Sequence, residues 1–504
     1  MTSSPLLDRP RPAGAAGRSR LDRLRHGPAL PLVVAAVAFA VRIGFLLRGG
    51  GLTGIGGYDD GVYYAAAEAL VHGRLPYADY LLLHPPGVVL ATAPFAAIGA
   101  LTTDATGWAV GRIAFELIGA ANAALVVLIL RRFGTCAAVV GGLLYAVLLP
   151  AAWTERSTLL EPLGTLGVLV ALLLLRERPS DARVVAAGLA AGAAADVKIW
   201  YVVPVLVIAL AGTDRRGRFL AGAAVSLVAV CLPFFLAAPA AMVREVVLDQ
   251  LGRPRDPALL TRFGGIVGLQ RIAHLPLLGL TEAAVALAVV ALVLAAATRG
   301  ARVFALLLAA DAVVLLASPS WFEHYGSLTA PPLALCAGVA AQRLLALLPA
   351  RRPVGLLVVA LVGVGVVVAG AHIDARSRSG VAVPAAFARA VRDQPGCITA
   401  DDPSVLIATD VLGRDLSQPG CAVWPDTTGW TYDPAAGWVG GGGRRSLSHD
   451  AAWQRLALGY LRSGTATILV RQDIGLSAAS RAVLDAPRPL FRDGPWVLRP
   501  TGRS

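Results

Sequence analysis

Apolar runs of about 20 residues, separated by short arginine-bearing loops, constrain this chain more than any other feature. A helix rises about 1.5 Å per residue, so a run of that length crosses the roughly 30 Å hydrocarbon core of a bilayer. Such runs lie at about 29–48, 108–130, 135–152, 159–175, 217–238, 277–298, 303–318, 325–347 and 354–372. Residues 184–211 are also apolar but are interrupted by Asp196-Val197-Lys198, which divides them into two short passes meeting at a charged apex. With 56% apolar and 15% charged residues in 504, the chain has too little polar surface to coat a soluble globule. The expected fold is therefore an all-α polytopic membrane protein of about 11 transmembrane helices, with a smaller α/β unit after them.

The net charge of +13 does not mark a nucleic-acid-binding face. Much of the arginine sits in clusters between the runs: Arg18, Arg20, Arg23 and Arg25; Arg131 and Arg132; Arg176, Arg178 and Arg183; Arg215, Arg216 and Arg218; Arg299 and Arg302; Arg351 and Arg352. That is the positive-inside pattern of cytoplasmic loops. An odd number of passes then puts the N-terminus in the cytoplasm and the C-terminus outside a plasma membrane crossed many times. Residues 1–28 are Pro/Arg/Gly-rich and read as a disordered cytoplasmic segment. The first run follows a basic flank as a signal peptide does. It carries Arg42 and lacks a small-x-small cleavage site, so it reads as an uncleaved anchor.

The same topology assigns 29–372 to a transmembrane domain and 49–107 to its first extracytoplasmic loop. Within that loop Pro86–Leu101 is apolar but short and proline-broken, which fits an interfacial or re-entrant helix. Residues 373–504 form the extracytoplasmic unit, with helix-like runs at Pro384–Gln394 and His449–Arg462 and strand-like runs at Cys397–Ala400, Thr465–Arg471 and Trp496–Arg499. Gly440–Gly443 follows no strand and opens no helix, so it reads as a loop rather than a nucleotide cradle. Cys397 and Cys421 can pair there if the unit is outside, whereas Cys136, Cys231 and Cys336 lie in apolar runs as small core residues.

Polar residues gather at the outer ends of the runs. One polar stretch, Tyr58 to Gly87, reads YDDGVYYAAAEALVHGRLPYADYLLLHPPG and carries two adjacent carboxylates near its start, Asp59 and Asp60. Arg42, His84, Arg112, Glu116, Arg156, Glu161, Asp196, Lys198, His324 and Tyr325 lie at the same level of the topology. Plainer roles exist: snorkelling at the interface, an i, i+4 bridge between Arg112 and Glu116, or an N-cap by the Asp pair. Charge at a membrane is nevertheless costly and is commonly functional.

The order of these residues resembles the GT-C superfamily of polytopic glycosyltransferases. That superfamily includes the protein O-mannosyltransferases, the aminoarabinose transferases and the dolichyl-phosphate-mannose-type bacterial transferases. The resemblance rests on Asp59-Asp60, the short helix Tyr64–Leu70, Pro76-Tyr77-Ala78-Asp79, His84-Pro85-Pro86-Gly87, Arg156 to Pro162, Lys198, and His324-Tyr325 ahead of Pro331-Pro332. It covers most of residues 30–372. It implies transfer of a monosaccharide such as mannose or arabinose from a polyprenyl-phosphate donor to an envelope glycan, lipid or protein, with inversion.

Such chemistry needs a base for the acceptor hydroxyl and cations for the departing phosphate. Asp59 is the expected base with Asp60 as its partner, although the sequence leaves open which of the two takes the proton. His84, Tyr64, Asp79, Glu161 and Arg156 are the expected acceptor-side residues. Lys198, His324, Tyr325 and an arginine of the 239–276 loop (Arg253, Arg255, Arg262 or Arg271) are expected at the donor phosphate. Glu161 with Asp59 is a candidate pair for a divalent metal, but scattered carboxylates are thin grounds for one, so a divalent metal stays possible and no cofactor is certain. A transporter or flippase for a lipid-linked sugar is the rival reading, because intramembrane ionisable residues also mark transport paths; no inverted repeat supports it. A third reading makes the tail a binding module anchored by the rest, for which eleven passes are many.

Overall fold

The computed structural model describes residues 27–251, 253, 259–269, 277–347, 365, 380–429, 447–471 and 474–502. The expected span at 354–372 (apart from Gly365), Gly440–Gly443, Arg255 and Arg271 lie outside these described residues.

Every other apolar run is helical. In chain order the helices are α1 Ala29–Arg48, α2 Tyr58–Val71, α3 Gly87–Leu101, α4 Asp104–Leu130, α5 Thr135–Val147, α6 Leu149–Thr154, α7 Glu161–Leu174, α8 Asp181–Val197, α9 Val202–Ala211, α10 Arg216–Ala237, α11 Leu277–Ala296, α12 Arg302–Ala317 and α13 Ala330–Leu347. Among the described residues five helical stretches are long and apolar enough to cross a membrane: Ala29–Arg48, Asp104–Phe133, Arg216–Ala237, Gly279–Ala296 and Glu323–Leu347. The expected break at Asp196–Lys198 is present, where α8 stops at Val197 and a 3₁₀ turn, Ile199–Tyr201, leads into α9.

Many helix faces carry exposed Leu and Val, including Leu32, Leu210, Val225, Leu236, Leu287 and Val313. Such side chains are stable only against an apolar solvent, which lipid supplies. Between the helices an apolar core runs from Val34 on α1 through Tyr145 and Ala187 to Cys336 on α13. One buried polar cluster interrupts it. Arg42 of α1 pairs with Glu155, whose carboxylate also accepts from Asn122 Nδ2 (2.7 Å) and the Tyr145 hydroxyl (2.6 Å). The arginine in the first run is thus a partnered core residue rather than a snorkeler.

The described residues between 380 and 502 hold a four-stranded sheet in the order β1-β2-β4-β3, with β1 Ile398–Ala400, β2 Ala466–Ile468, β3 Phe491–Asp493 and β4 Trp496–Pro500. β1 and β2 are parallel, and the other pairings are antiparallel. The helices around it are α14 Ala385–Arg392, α15 Pro403–Ala408, α16 Leu412–Ser417, α17 Ala451–Leu461 and α18 Ala478–Asp485. A disulfide joins Cys397 to Cys421 with the Cα atoms 5.4 Å apart.

This sheet unit does not stand apart from the first loop. One core holds Tyr63, Tyr64, Ala67 and Val88 together with Phe387, Val405, Leu412 and Leu498. Helix α2 lies directly on α15, and a Cβ at Gly61 would collide with the Ser404 side chain. Only glycine permits that approach.

Candidate active site

Consecutive residues on a helix point about 100° apart, so Asp59 and Asp60 at the start of α2 face different surroundings. Asp60 is buried. Its Oδ2 takes Arg112 Nε at 2.9 Å and pairs with the same guanidinium through Nη2. Its Oδ1 accepts from Trp108 Nε1 (3.2 Å), Thr158 N (3.1 Å) and Thr158 Oγ1 (2.5 Å). Burial pushes its pKa up, but the Arg112 charge and these bonds outweigh burial and hold it below the usual carboxylate value. Arg112 is therefore tied to Asp60 and not to Glu116, whose two carboxylate oxygens are buried without a hydrogen-bond partner among the described residues.

Asp59 is the open carboxylate, 37% exposed. His324 Nδ1 stands 3.7 Å from Asp59 Oδ2, and His324 Nε2 stands 3.9 Å from Glu161 Oε1. Glu161 Oε1 accepts from Lys198 Nζ at 2.7 Å. Four residues expected at the site thus form one row, drawn from α2, the Glu323–Ser327 turn, the start of α7 and the α8–α9 apex. Tyr325 joins them. Lys198 Nζ lies 4.4 Å from its ring centroid and 4.5 Å from that of Trp200. Arg253 Nη1 donates to the Tyr325 hydroxyl at 2.9 Å.

The charges on this row are unequally compensated. Lys198 is neutralised by Glu161, and His324 lies between two carboxylates. Among the described residues Arg253 makes no direct carboxylate contact: it bonds the Tyr325 hydroxyl and sits 5.5 Å from the Phe322 ring centroid, which leaves its guanidinium able to take a new anion. A groove of about 550 Å³ lies between α9 and α12, lined wholly by apolar residues such as Val203, Val207, Leu306 and Val313.

His84 is buried with its Nδ1 unbonded among the described residues, 5.8 Å from the Tyr63 ring. Its backbone is fixed from both sides. The Tyr77 hydroxyl donates to His84 O at 2.7 Å, and Gln250 Nε2 donates to Leu83 O at 2.6 Å. Tyr77 itself is held at φ 67°, a left-handed conformation costing about 1–3 kcal/mol that its buried ring sustains. Just beyond, a Cβ on Gly87 would lie 2.6 Å from Asp196 O, so the loop passes flush against the end of α8.

Of the other expected residues, Asp79, Tyr64 and Arg262 sit elsewhere, while Arg156 stays beside Gly57 at the start of α2. Asp79 is exposed and accepts from Leu75 N at 2.6 Å, closing its own turn. Tyr64 is fully buried on the far side of α2, its hydroxyl against Gly99 and Gly107. Arg156 is buried with its guanidinium 3.7 Å from the Trp153 ring centroid. Arg262 donates to the carbonyls of Leu315, Leu316, Ser318 and Pro319, so it caps the C-terminus of α12 rather than reaching the row. Among the described residues no group of three or more His, Cys, Asp or Glu is placed to hold a metal ion.

Sequence reasoning missed Tyr58, Trp200, Phe322, Asp426 and Arg471. Asp426-Thr427-Thr428-Gly429 has the residue types of an Asx turn, which was the available signal.

No family model matches the sequence, and no curated protein matches it. Among solved structures the fold has clear counterparts in ArnT and in an archaeal oligosaccharyltransferase. ArnT from Cupriavidus metallidurans bound to undecaprenyl phosphate is matched with a TM-score of 0.60 at 18% identity, over 95% of this chain and 99% of that one. Its apo state gives 0.62 at 16% identity, over 93% and 97%. The archaeal oligosaccharyltransferase AglB from Archaeoglobus fulgidus, in complex with an inhibitory peptide and a dolichol-phosphate, gives 0.52 at 12% identity, over 88% and 69%.

Proposed function

We propose that this protein is an integral-membrane glycosyltransferase. It moves a monosaccharide such as mannose or arabinose from a polyprenyl phosphate to an envelope glycan, lipid or protein on the outer side of the plasma membrane. The observation that carries this reading is an open carboxylate, Asp59, on the same row as a cation, Arg253, that makes no direct carboxylate contact among the described residues, in a helix bundle that also holds an apolar groove. The carriers bound by ArnT and AglB support a lipid-linked donor.

In this mechanism the acceptor hydroxyl oxygen attacks the anomeric carbon while Asp59 takes its proton. The bond from that carbon to the phosphate oxygen breaks, and the phosphate leaves with the electron pair. One displacement inverts the anomeric centre. Arg253 and the Tyr325 hydroxyl receive the phosphate, with Lys198 and His324 beside it, and stabilise the charge that develops there. Glu161 holds Lys198 and His324 in place, and His84 faces the acceptor side. Asp60 acts only by fixing the first turn of α2. The N-terminus is cytoplasmic, and the sheet unit lies outside with the site.

The test is reconstitution in liposomes containing an undecaprenyl-phosphate sugar labelled in the sugar, with envelope extract as acceptor. The expected result is label in a glycosidic product. Label that crosses the bilayer with no glycosidic product would identify a flippase instead.

A further inference from the structure

Helix α2 begins without the usual support. Its N-cap is Gly57, which offers no side chain to the free amides of the first turn. Asp59 lies in that turn, with His324 Nδ1 3.7 Å from its Oδ2. The direction of the Asp59 carboxylate therefore depends on whatever holds the backbone around Tyr58.

That support comes from the C-terminal unit, more than 360 residues away in sequence. The Tyr58 hydroxyl donates to Asp426 Oδ1 at 2.7 Å, lies 3.0 Å from Thr427 Oγ1, and accepts from Thr428 N at 3.0 Å. Over the ring stands the Arg471 guanidinium, 4.2 Å from the centroid, with Asp402 Oδ2 3.7 Å from that guanidinium. Asp426 is itself fixed, since Oδ1 also accepts from Thr428 N (3.0 Å) and Gly429 N (2.7 Å). Thr427 Oγ1 donates to Asp401 O at 2.8 Å. The segment carrying these residues leaves from Cys421, which the disulfide ties to Cys397 at the edge of β1.

We propose that Asp426 is a positioning residue for Asp59. It acts through Tyr58, in a clamp that the Cys397–Cys421 disulfide tethers to the sheet. The clamp keeps the base in register with the acceptor, and a displacement of about 1 Å there is enough to cost about 10²-fold in rate. The proposal rests on Asp59 being the base, so its experiment carries one readout that needs catalysis and one that does not.

Tyr58→Phe, Asp426→Ala, Asp426→Asn, the Tyr58→Phe/Asp426→Ala double variant and Cys397→Ser/Cys421→Ser are made in the full chain. Each is assayed for kcat and KM with an undecaprenyl-phosphate sugar, and by hydrogen exchange of the peptide covering 56–66. Tyr58→Phe and Asp426→Ala are expected to lower kcat about 10- to 100-fold with donor KM within about 3-fold, and to speed exchange in that peptide. The double variant should be no worse than the weaker single. Asp426→Asn keeps the accepting oxygen and should recover to within about 3-fold of wild type. The cysteine pair should show the same defect in weaker form.

Faster exchange without any transfer by the wild-type protein would leave the clamp standing and overturn the reading of Asp59 as base. Unchanged exchange and kcat in Asp426→Ala would overturn the clamp. An Asp426→Asn as impaired as Asp426→Ala would also overturn it, because the charge and not the hydrogen bond would then matter.

Discussion

Asp59 and Asp60 show how little adjacency in sequence says about role. About 100° around the helix separates a carboxylate saturated by Arg112, Trp108 and Thr158 from one facing the His324 row. The pair itself was legible in the sequence. The division of labour was not, because it depends on which side of α2 meets α4. The same holds for cations. Lys198 and Arg262 looked equivalent to Arg253, yet one is paired with Glu161 and the other caps a helix. Arg253→Ala should therefore lower kcat by about 10²- to 10³-fold, the usual cost of removing a preorganised charge-stabilising donor. Arg262→Ala should act on thermal stability more than on kcat. Steady-state rates beside melting curves in detergent separate the two, and the reverse pattern would contradict the assignment.

At the level of elements, the apolar helices were legible because a bilayer imposes an apolar composition that no local rule masks, although only five of the described ones have the length to cross. The first run, the charged apex at Asp196–Lys198 and the short α3 all appear where the pattern put them. Contacts between elements were not legible. The Arg112–Asp60 pair locks α4 to α2, and removing one partner of such a buried pair costs about 3–5 kcal/mol because the other charge is left uncompensated. Arg112→Ala should lower the thermal midpoint by several degrees, and Arg112→Ala/Asp60→Asn should regain part of the loss. A double variant no more stable than the single would show that the pair is not what holds α2. The packing of Gly61 on Ser404 likewise joins parts of the chain that no periodicity connects.

Across the whole molecule, the sheet unit and the first loop share one core, and buried carboxyl groups beside it make their docking expected to respond to pH. Glu68 of α2 is buried against α16, and burial followed by the nearby Asp104 carboxyl pushes its pKa from 4.5 up to about 8. Burial likewise raises Asp401 to about 7, partly opposed by amides of Val470 and Arg471. A folded-state pKa above the unfolded value means that the folded state binds more protons. The Glu68 contribution is then complete below about pH 4.5 and is lost as pH rises through about 8. The thermal midpoint should fall between about pH 5 and pH 9, and Glu68→Gln should flatten that fall; identical profiles would exclude Glu68 as its source. The central claim concerns the molecule as a catalyst, and its most direct test is transfer by Asp59→Asn in membranes supplied with labelled polyprenyl-phosphate sugar. A loss of at least about 10²-fold with stability and undecaprenyl-phosphate binding retained is expected. Transfer at the wild-type rate would contradict the account.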